Sequence, residues 1–173
     1  MLNYEYCAYT YRHRKALMYL IEKKITDPEL KKKMIEKAKV HDMDKMFLYK
    51  YLPKKIASEY HRSHASHHME NDLPKTFEDK IEAVFDYECA AYTKPDKPLN
   101  AYDTLINYYQ GMESVIMPIL EEMEIDESNL PMDEDILKLA QELDDVSIEE
   151  IVNELKESIN LLTTEQPKKL ILE

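Results

Sequence analysis

A single glycine, Gly111, in 173 residues is the feature that most constrains the fold of this chain. Tight turns between β-strands need residues with positive φ, and glycine is the usual choice for them. Residues that favour helices, such as Leu, Lys, Glu, Met and Ala, outnumber Val, Ile and Thr. The sequence therefore predicts an all-α protein, and its length suits one domain with a substantial hydrophobic core.

Residues that commonly cap helix N-termini mark several helix starts along the chain. They are Asp27 before Pro28, Thr76 with Asp79, Asn100, and Ser147 with Glu150. Apolar periodicity between these points predicts helices over about 3–25, 28–45, 54–68, 76–93, 100–124 and 147–162. We expect residues 1–125 to form one helical domain and residues 126–173 to form an acidic helical extension packed on it.

The net charge of −12 is distributed unevenly along the chain. Residues 1–62 carry 15 Lys and Arg against 8 Asp and Glu, whereas residues 63–173 carry 8 against 27. The acidic half argues against general nucleic-acid binding, because phosphate backbones need a basic face. The basic half suits a small phosphorylated ligand, although an ordinary solvated surface is the simpler explanation of its charge.

Cysteine content and hydropathy indicate the cellular compartment in which the protein is expected. Cys7 and Cys89 are far apart and in no metal-binding spacing, so they form no disulfide framework and fit a reducing compartment. The N-terminus lacks an apolar signal core, and no apolar run is long enough to span a membrane. The sequence predicts a cytoplasmic protein that does not contact membranes, and it leaves the oligomeric state open.

Five of the six histidines lie between residues 41 and 68. His41 is followed directly by Asp42, and an imidazole beside a carboxylate suits a first-row divalent metal. His64 and His68 are spaced i, i+4, which places both on one face if the helix continues through them. His61 is three residues before His64. A polar helix that is rich in histidine by chance is the alternative explanation.

Two further candidates lie in apolar surroundings. His13 falls on the same predicted helix face as Leu17 and Leu20, where a single histidine is more often an ordinary core residue than a ligand. Asp86 and Glu88 lie in a segment that is apolar nearly all round, and a buried carboxylate needs a cation or hydrogen-bond donors. Taken together, the candidates predict one metal centre, and its ligands are His13, His41, Asp42, His64, His68 and Asp86.

This order of ligands resembles the HD-domain superfamily, which comprises helical metal-dependent phosphohydrolases named for their adjacent His-Asp pair. The resemblance implies that His13, His41, Asp42 and Asp86 hold a first metal. It also implies that His64 and either His67 or His68 hold a second one, while the contribution of His61 stays open. The expected cofactor is one or two divalent transition-metal ions, such as Fe, Mn, Zn, Ni or Co, with Asp42 as the bridge between two ions.

The stretches HDMDK, HxxHH, DYE and YTKPDKPLNAYDTL look closer still to a family of short, uncharacterised bacterial and phage HD-like proteins. This resemblance covers roughly residues 10–125. Those relatives carry an HDxSK motif, in which Asp44 replaces the Ser here. The separation of Asp42 and Asp86 is shorter than in most superfamily enzymes, and the later histidines fall in one predicted helix.

The resemblance implies a hydrolase that acts on a small phosphorylated, nucleotide-like molecule through a metal-activated water. Asp42, Lys45 and Arg62 are the expected catalytic residues, and Lys94 and Lys97 are weaker candidates for holding a phosphate. One alternative is an HD-fold oxygenase with two irons. Another is a binding protein without catalytic activity that is stabilised by its metal and contacts a partner through its acidic tail.

Overall fold

A computed structural model describes residues 4–94, 99–126 and 133–159. Every regular element within these ranges is helical, so the predicted all-α class is confirmed. The α-helices are α1 (Tyr4–Lys24), α2 (Pro28–Ala38), α3 (Met43–Tyr51), α4 (Lys54–His64), α5 (Phe77–Thr93), α6 (Ala101–Tyr108), α7 (Glu113–Glu122), α8 (Glu134–Glu142) and α9 (Ile148–Ile159). A 3₁₀ turn (Leu143–Asp145) connects α8 to α9.

The predicted N-caps are present. The Asp27 side chain accepts a hydrogen bond from the Leu30 amide, and Pro28 is the first residue of α2. Thr76 and Asp79 form a reciprocal capping box at the start of α5. The Asn100 side chain accepts from the Asp103 amide, and the Ser147 hydroxyl accepts from the Glu150 amide. These caps satisfy amide groups that have no partner inside the helix.

Three predicted helices are shorter than expected. The helix predicted over 28–45 stops at Ala38, and the chain turns before α3 begins, with Asp42 in the left-handed region at φ 60°. The one predicted over 54–68 stops at His64, because Ala65 adopts an extended conformation with ψ 132°. The one predicted over 100–124 is divided into α6 and α7 near Gly111, whose φ of 94° is incompatible with a helix.

Helices α1 and α5 share the most extensive contact of the fold and lie at the centre of the main hydrophobic core. Helices α2, α6, α7 and α8 pack around this pair. The central residues include Leu17, Leu20, Ile21, Ile81, Val84 and Phe85, all of which are buried. Because α1 carries His13 and α5 carries Asp86, the core itself fixes how these two side chains face each other.

A second, smaller cluster attaches the last described helix to the N-terminal part of the chain. Ile151 of α9 packs with Tyr11 of α1 and with Met43 and Met46 of α3. Ile136 of α8 belongs to the main core, so residues 133–159 contact the bundle at two places. No helix within the described residues is long and apolar enough to cross a membrane. The predicted domain division at residue 125 stays a prediction.

We expect Thr76→Ala to lower the free energy of unfolding by about 1 kcal/mol, the usual effect of losing a helix N-cap. The Thr76 hydroxyl accepts from the Asp79 amide at 3.1 Å and caps the helix that carries Asp86. Urea denaturation of the two proteins measures this change. Thr76→Ser keeps the hydroxyl and is the matched control. Equal stability of Thr76→Ala and the wild type would contradict the assigned cap.

Candidate metal centre

Seven imidazole and carboxylate side chains, six of them buried, are gathered from four parts of the chain. Helix α1 contributes His13, and α5 contributes Asp86. The turn between α2 and α3 contributes His41 and Asp42. The C-terminal end of α4 and the segment that follows it contribute the remaining histidines, which are His61, His67 and His68. Asp86 is partly buried, and each of the other six residues is at most 6% exposed.

Four of these residues converge between α1, α5 and the turn after α2. The Nε2 atom of His13 lies 2.7 Å from Oδ1 of Asp86. The Nε2 atom of His41 lies 3.7 Å from the same Asp86 oxygen and 3.8 Å from Oδ1 of Asp42. His13, His41 and Asp42 each offer a ligand atom within 4.8 Å of the other two. This is the set that the resemblance to the HD-domain superfamily implied for a first metal.

A second group lies on the other side of Asp42. His61, His67 and His68 offer nitrogen atoms within 4.8 Å of one another. Oδ1 of Asp42 lies 2.8 Å from Nε2 of His61 and 3.7 Å from Nε2 of His67. Asp42 therefore faces both groups with one carboxylate oxygen. His67 also joins His41 and Asp86 in a third possible grouping, so the two groups are contiguous.

Six atoms of this cluster have no hydrogen-bond partner of acceptable geometry among the described residues, whereas Nε2 of His13 is bonded to Oδ1 of Asp86. The six atoms are Nε2 of His41, His61 and His67, Oδ1 of Asp42, and both ring nitrogens of His68. Buried polar atoms are nearly always hydrogen-bonded, since leaving them without a partner is costly. Imidazole nitrogens with carboxylate oxygens are donors that first-row divalent metals accept. The residues present therefore fit a divalent transition metal.

The outward-facing nitrogen of three histidines is held by a neighbouring side chain. Nδ1 of His13 lies 3.0 Å from Oγ1 of Thr93, and Nδ1 of His41 lies 3.0 Å from Oε1 of Glu82. Nδ1 of His61 lies 2.7 Å from Asp44. Such partners fix the ring orientation and leave Nε2 available as a ligand. All three rings thus present Nε2 to the centre.

Glu82 and Thr93 were not identified from the sequence as parts of the site. The signal for Glu82 was its position four residues before Asp86, which places both on one face of α5. Asp44 was noted only because it replaces a serine of the related motif. In the structure it accepts from His61, a contact that depends on how α3 and α4 meet.

The carboxylate of Glu82 is ionised and firmly held. Burial alone would raise the pKa of Glu82, but the hydrogen bond with His41 and the nearby charge of Lys37 keep it at about 2. Nζ of Lys37 lies 3.0 Å from Glu82 and 2.8 Å from Asp79, the capping residue of α5. A chain of polar contacts therefore connects the helix cap to the orientation of the His41 ring.

The histidines of the cluster differ in proton affinity. Burial and the charge of His41 lower the pKa of His67 to about 3, so its ring is neutral and ready to donate a lone pair. Burial would also lower the pKa of His41, but Asp42, Asp86 and Glu82 outweigh it and raise that pKa to about 10. A metal ion bound by His41 would therefore take the place of a proton, as expected for an imidazole ligand.

Asp42 has an unusual backbone as well as a central position. Its φ of 60° is the left-handed conformation, which aspartate tolerates better than most residues. Nζ of Lys45 lies 2.7 Å from Oδ2, while Oδ1 faces the histidines. Burial would raise the pKa of Asp42, but Lys45 and the surrounding imidazoles hold it well below its usual range. Asp42 is therefore an anion whose Oδ1 faces the histidines and is placed to serve as a ligand.

His64 is not brought to the centre. It lies on the surface at the end of α4, with Nδ1 2.8 Å from the carbonyl oxygen of Tyr60 and its ring stacked on that tyrosine. Because α4 ends at His64, the i, i+4 relation that paired it with His68 does not apply. His61, which the sequence left open, occupies the interior instead.

A cavity of about 380 Å³ opens beside the cluster. Among its lining residues are four from the cluster, which are His13, Asp42, His68 and Asp86. It is also lined by basic side chains, which are Arg12, Lys45, Lys54, Arg62 and Lys94, and we call it the cationic cavity. Lys97, another predicted phosphate-binding residue, lies outside the described residues.

We expect Asp42→Asn to abolish binding of divalent metal, because the variant removes the negative charge of the carboxylate whose Oδ1 lies 2.8 Å from Nε2 of His61 and 3.8 Å from Nε2 of His41. Elemental analysis of the purified variant measures this loss. His64→Ala is the matched control, since His64 lies in the same histidine-rich stretch but on the surface. Equal metal content in Asp42→Asn and His64→Ala would contradict the ligand set.

Glu82→Gln should weaken metal binding about 10–100-fold, the usual effect of removing a group that orients a histidine ligand. The amide is nearly the same size as the carboxylate but carries no charge to hold the His41 ring. Titration of the metal-free variant with Mn²⁺ or Zn²⁺ measures the affinity. Glu88→Gln is the control, because Glu88 lies on the same helix and accepts from the Ala101 amide instead. Unchanged affinity in Glu82→Gln would contradict this role.

The chain was compared with protein families, curated proteins and solved structures. No family model, curated protein or solved structure matches it. Any function must therefore be inferred from the geometry and chemistry of the described residues, which are compatible with a bound metal ion.

Proposed function

We propose that the protein is a metal-dependent phosphohydrolase of the HD-domain type, acting on a small phosphorylated, nucleotide-like molecule. One observation carries this proposal above the others. Two groups of buried histidines meet at the Asp42 carboxylate, and the cluster lies at the wall of a cavity with five basic side chains among the described residues. Such a cavity combines a metal site with a preference for anions.

The order and placement of the ligands support the assignment to the HD-domain superfamily. His13 comes from an early helix, the His41-Asp42 pair from a turn, and Asp86 from a later helix packed on the first. The superfamily uses this order of residue types for its first metal. His61 and His67, both near Asp42, supply the additional histidines that its binuclear members need.

A bound divalent ion would supply Lewis acidity and lower the pKa of a water molecule at this site. The protein residues perform the remaining tasks. Lys45 neutralises Asp42 and keeps a positive charge at the cavity wall, where its side chain is 18% exposed. Arg62 is exposed and lines the same wall, and its planar guanidinium suits two oxygens of a phosphoryl group.

The charge around the cavity favours an anionic substrate. Five basic side chains line it, whereas its two carboxylates, Asp42 and Asp86, face the histidines. A cleft lined by one sign of charge concentrates ligands of the opposite sign. Tyr6, Tyr9 and Tyr49 also line the cavity and offer apolar surface to the rest of the substrate.

An oxygenase that uses two irons is the second candidate. The observation that favours it is the single Asp42 oxygen within reach of both histidine groups, which suits a pair of bridged ions. The basic lining of the cavity favours the hydrolase over an oxygenase that acts on an uncharged polyol, which would gain little from five cations, but not over one that acts on an anionic phosphonate. Iron as the only supporting metal, with oxygen consumption, would favour the oxygenase.

The test is metal analysis followed by a hydrolysis screen. Protein loaded separately with Mn²⁺, Fe²⁺, Zn²⁺, Ni²⁺ and Co²⁺ is incubated with phosphate mono- and diesters, and released phosphate or alcohol is measured. The proposal predicts turnover that EDTA abolishes and metal restores. Loss of thermal stability on chelation, with no turnover on any ester, would instead support a binding protein stabilised by its metal.

Arg62→Gln should lower kcat/KM for a phosphorylated substrate about 10–100-fold, because a charge-assisted hydrogen bond contributes about 1.5–3 kcal/mol. Metal content should stay at the wild-type level, since Arg62 is not a metal ligand. Lys55→Gln is the control on the same helix, where Lys55 is 85% exposed. An equal loss of activity in both variants would show that general surface charge, and not Arg62, is responsible.

A further inference from the structure

Arg12 differs from the other basic residues of the cationic cavity in its position and its partner. It directly follows Tyr11 and precedes His13 on α1, and neighbouring residues on a helix point in different directions. The Arg12 side chain is 28% exposed, whereas His13 is buried. Its guanidinium therefore lies at the rim of the cavity, to one side of the metal centre.

The Arg12 guanidinium is already bound to a carboxylate. Nη1 donates to Oδ1 of Asp144, which comes from the 3₁₀ turn between α8 and α9. The two residues are 132 positions apart in the chain, so the contact exists only because residues 133–159 fold back against α1. A side-chain carboxylate is thus bound at the position that an anionic group of a ligand would take.

The ion pair between Arg12 and Asp144 is weak enough for an anionic ligand to displace it. Asp144 is 62% exposed, and ion pairs at such exposed positions are weak and screened by salt. A phosphoryl group carries more charge than a carboxylate and offers three oxygens to the fork of a guanidinium. It therefore competes effectively with Asp144 for Arg12.

The segment that carries Asp144 is held in place by other contacts. Leu143, Val146 and Ile151 pack on the cluster of Met43, Met46 and Tyr11. Nζ of Lys15 lies 3.0 Å from Glu154, and the Tyr11 hydroxyl donates to Glu150 at 3.3 Å. Release of Arg12 from Asp144 therefore leaves the segment docked, and a change at Asp144 is local.

We propose that Arg12 is a second anion-binding subsite of the cationic cavity, which Asp144 occupies in the absence of substrate, and that the substrate carries two anionic groups. The first group is the phosphoryl that lies at the metal centre near Lys45 and Arg62, and this part rests on the proposed function. The second group replaces the Asp144 carboxylate on Arg12. Lys54, which lines the same cavity with Nζ 4.6 Å from the Tyr6 ring centroid, adds to the positive charge of the cavity.

Two probes with stable carbon–phosphorus bonds test this subsite without turnover. Propylphosphonate carries one anionic group, and propane-1,3-diphosphonate carries two. Calorimetric titration of metal-loaded protein measures the affinity for each. The wild type should bind the diphosphonate at least 10-fold more tightly than the monophosphonate. Arg12→Gln should remove this preference, and it should weaken binding of propylphosphonate only slightly, through the loss of one of the five positive charges of the cavity.

Asp144→Asn separates competition by the carboxylate from a general effect of charge. It should tighten binding of the diphosphonate about 3–10-fold and leave propylphosphonate unchanged, whereas Asp145→Asn, the neighbouring exposed position, should change neither. The double variant Arg12→Gln/Asp144→Asn should show no tightening. Equal tightening by Asp144→Asn and Asp145→Asn would overturn the subsite, because it would reflect net charge alone.

The two proposals fail in different ways. If propylphosphonate does not bind metal-loaded wild-type protein, the centre does not accept a phosphoryl group and the proposed function is wrong. If it binds, and the diphosphonate binds no more tightly, only the second subsite is wrong. Thermal denaturation of each variant shows whether it is folded, and a variant that keeps the wild-type melting temperature gives a valid comparison.

Discussion

Compensation of the buried negative charge on Asp42 is the interaction on which the rest of the site depends. An unpaired carboxylate in a protein interior costs several kcal/mol, so its partners must be held in place by the fold. Lys45 lies 2.7 Å from one oxygen, and His61 lies 2.8 Å from the other. Because these partners come from α3 and α4, Asp42 connects both helices to the turn after α2. Its backbone in this turn is left-handed.

Among the described residues, His41 and His61 are hydrogen-bonded on their outer side but not on their inner side, whereas Nε2 of His13 is bonded to Asp86. Thr93, Glu82 and Asp44 hold the Nδ1 atoms of three histidines, and Lys37 in turn holds Glu82. The Nε2 atoms of His41, His61 and His67 have no such partner. A cluster that served only to stabilise the fold would satisfy both sides, since each unpaired buried group is costly. The asymmetry is what a ligand-binding site requires.

Charge separation along the sequence has a structural counterpart. The basic N-terminal half contributes Arg12, Lys15 and Lys23 to α1, and residues 133–159 contribute Asp144, Glu154 and Asp133 as their partners. The sequence pointed either to an ordinary solvated surface or to a phosphorylated ligand, and part of the charge is instead used between distant segments. The basic residues at the cavity wall are still consistent with an anionic ligand. Arg12 both lines this cavity and pairs with Asp144 of the distant segment.

The sequence by itself determined the helical class and the helix starts that carry a local cap, and it indicated the residue types of the candidate site. Caps at Asp27, Thr76 and Asn100 act locally, within three residues, so they can be read without the fold. Only the tertiary structure decided which histidines converge. The pairing of His64 with His68 assumed a helix that in fact ends at His64. As a result, His61 lies in the interior of the cluster, where His64 had been predicted. The roles of Glu82 and Asp44 likewise arise from contacts between helices, which helical spacing within one segment does not specify.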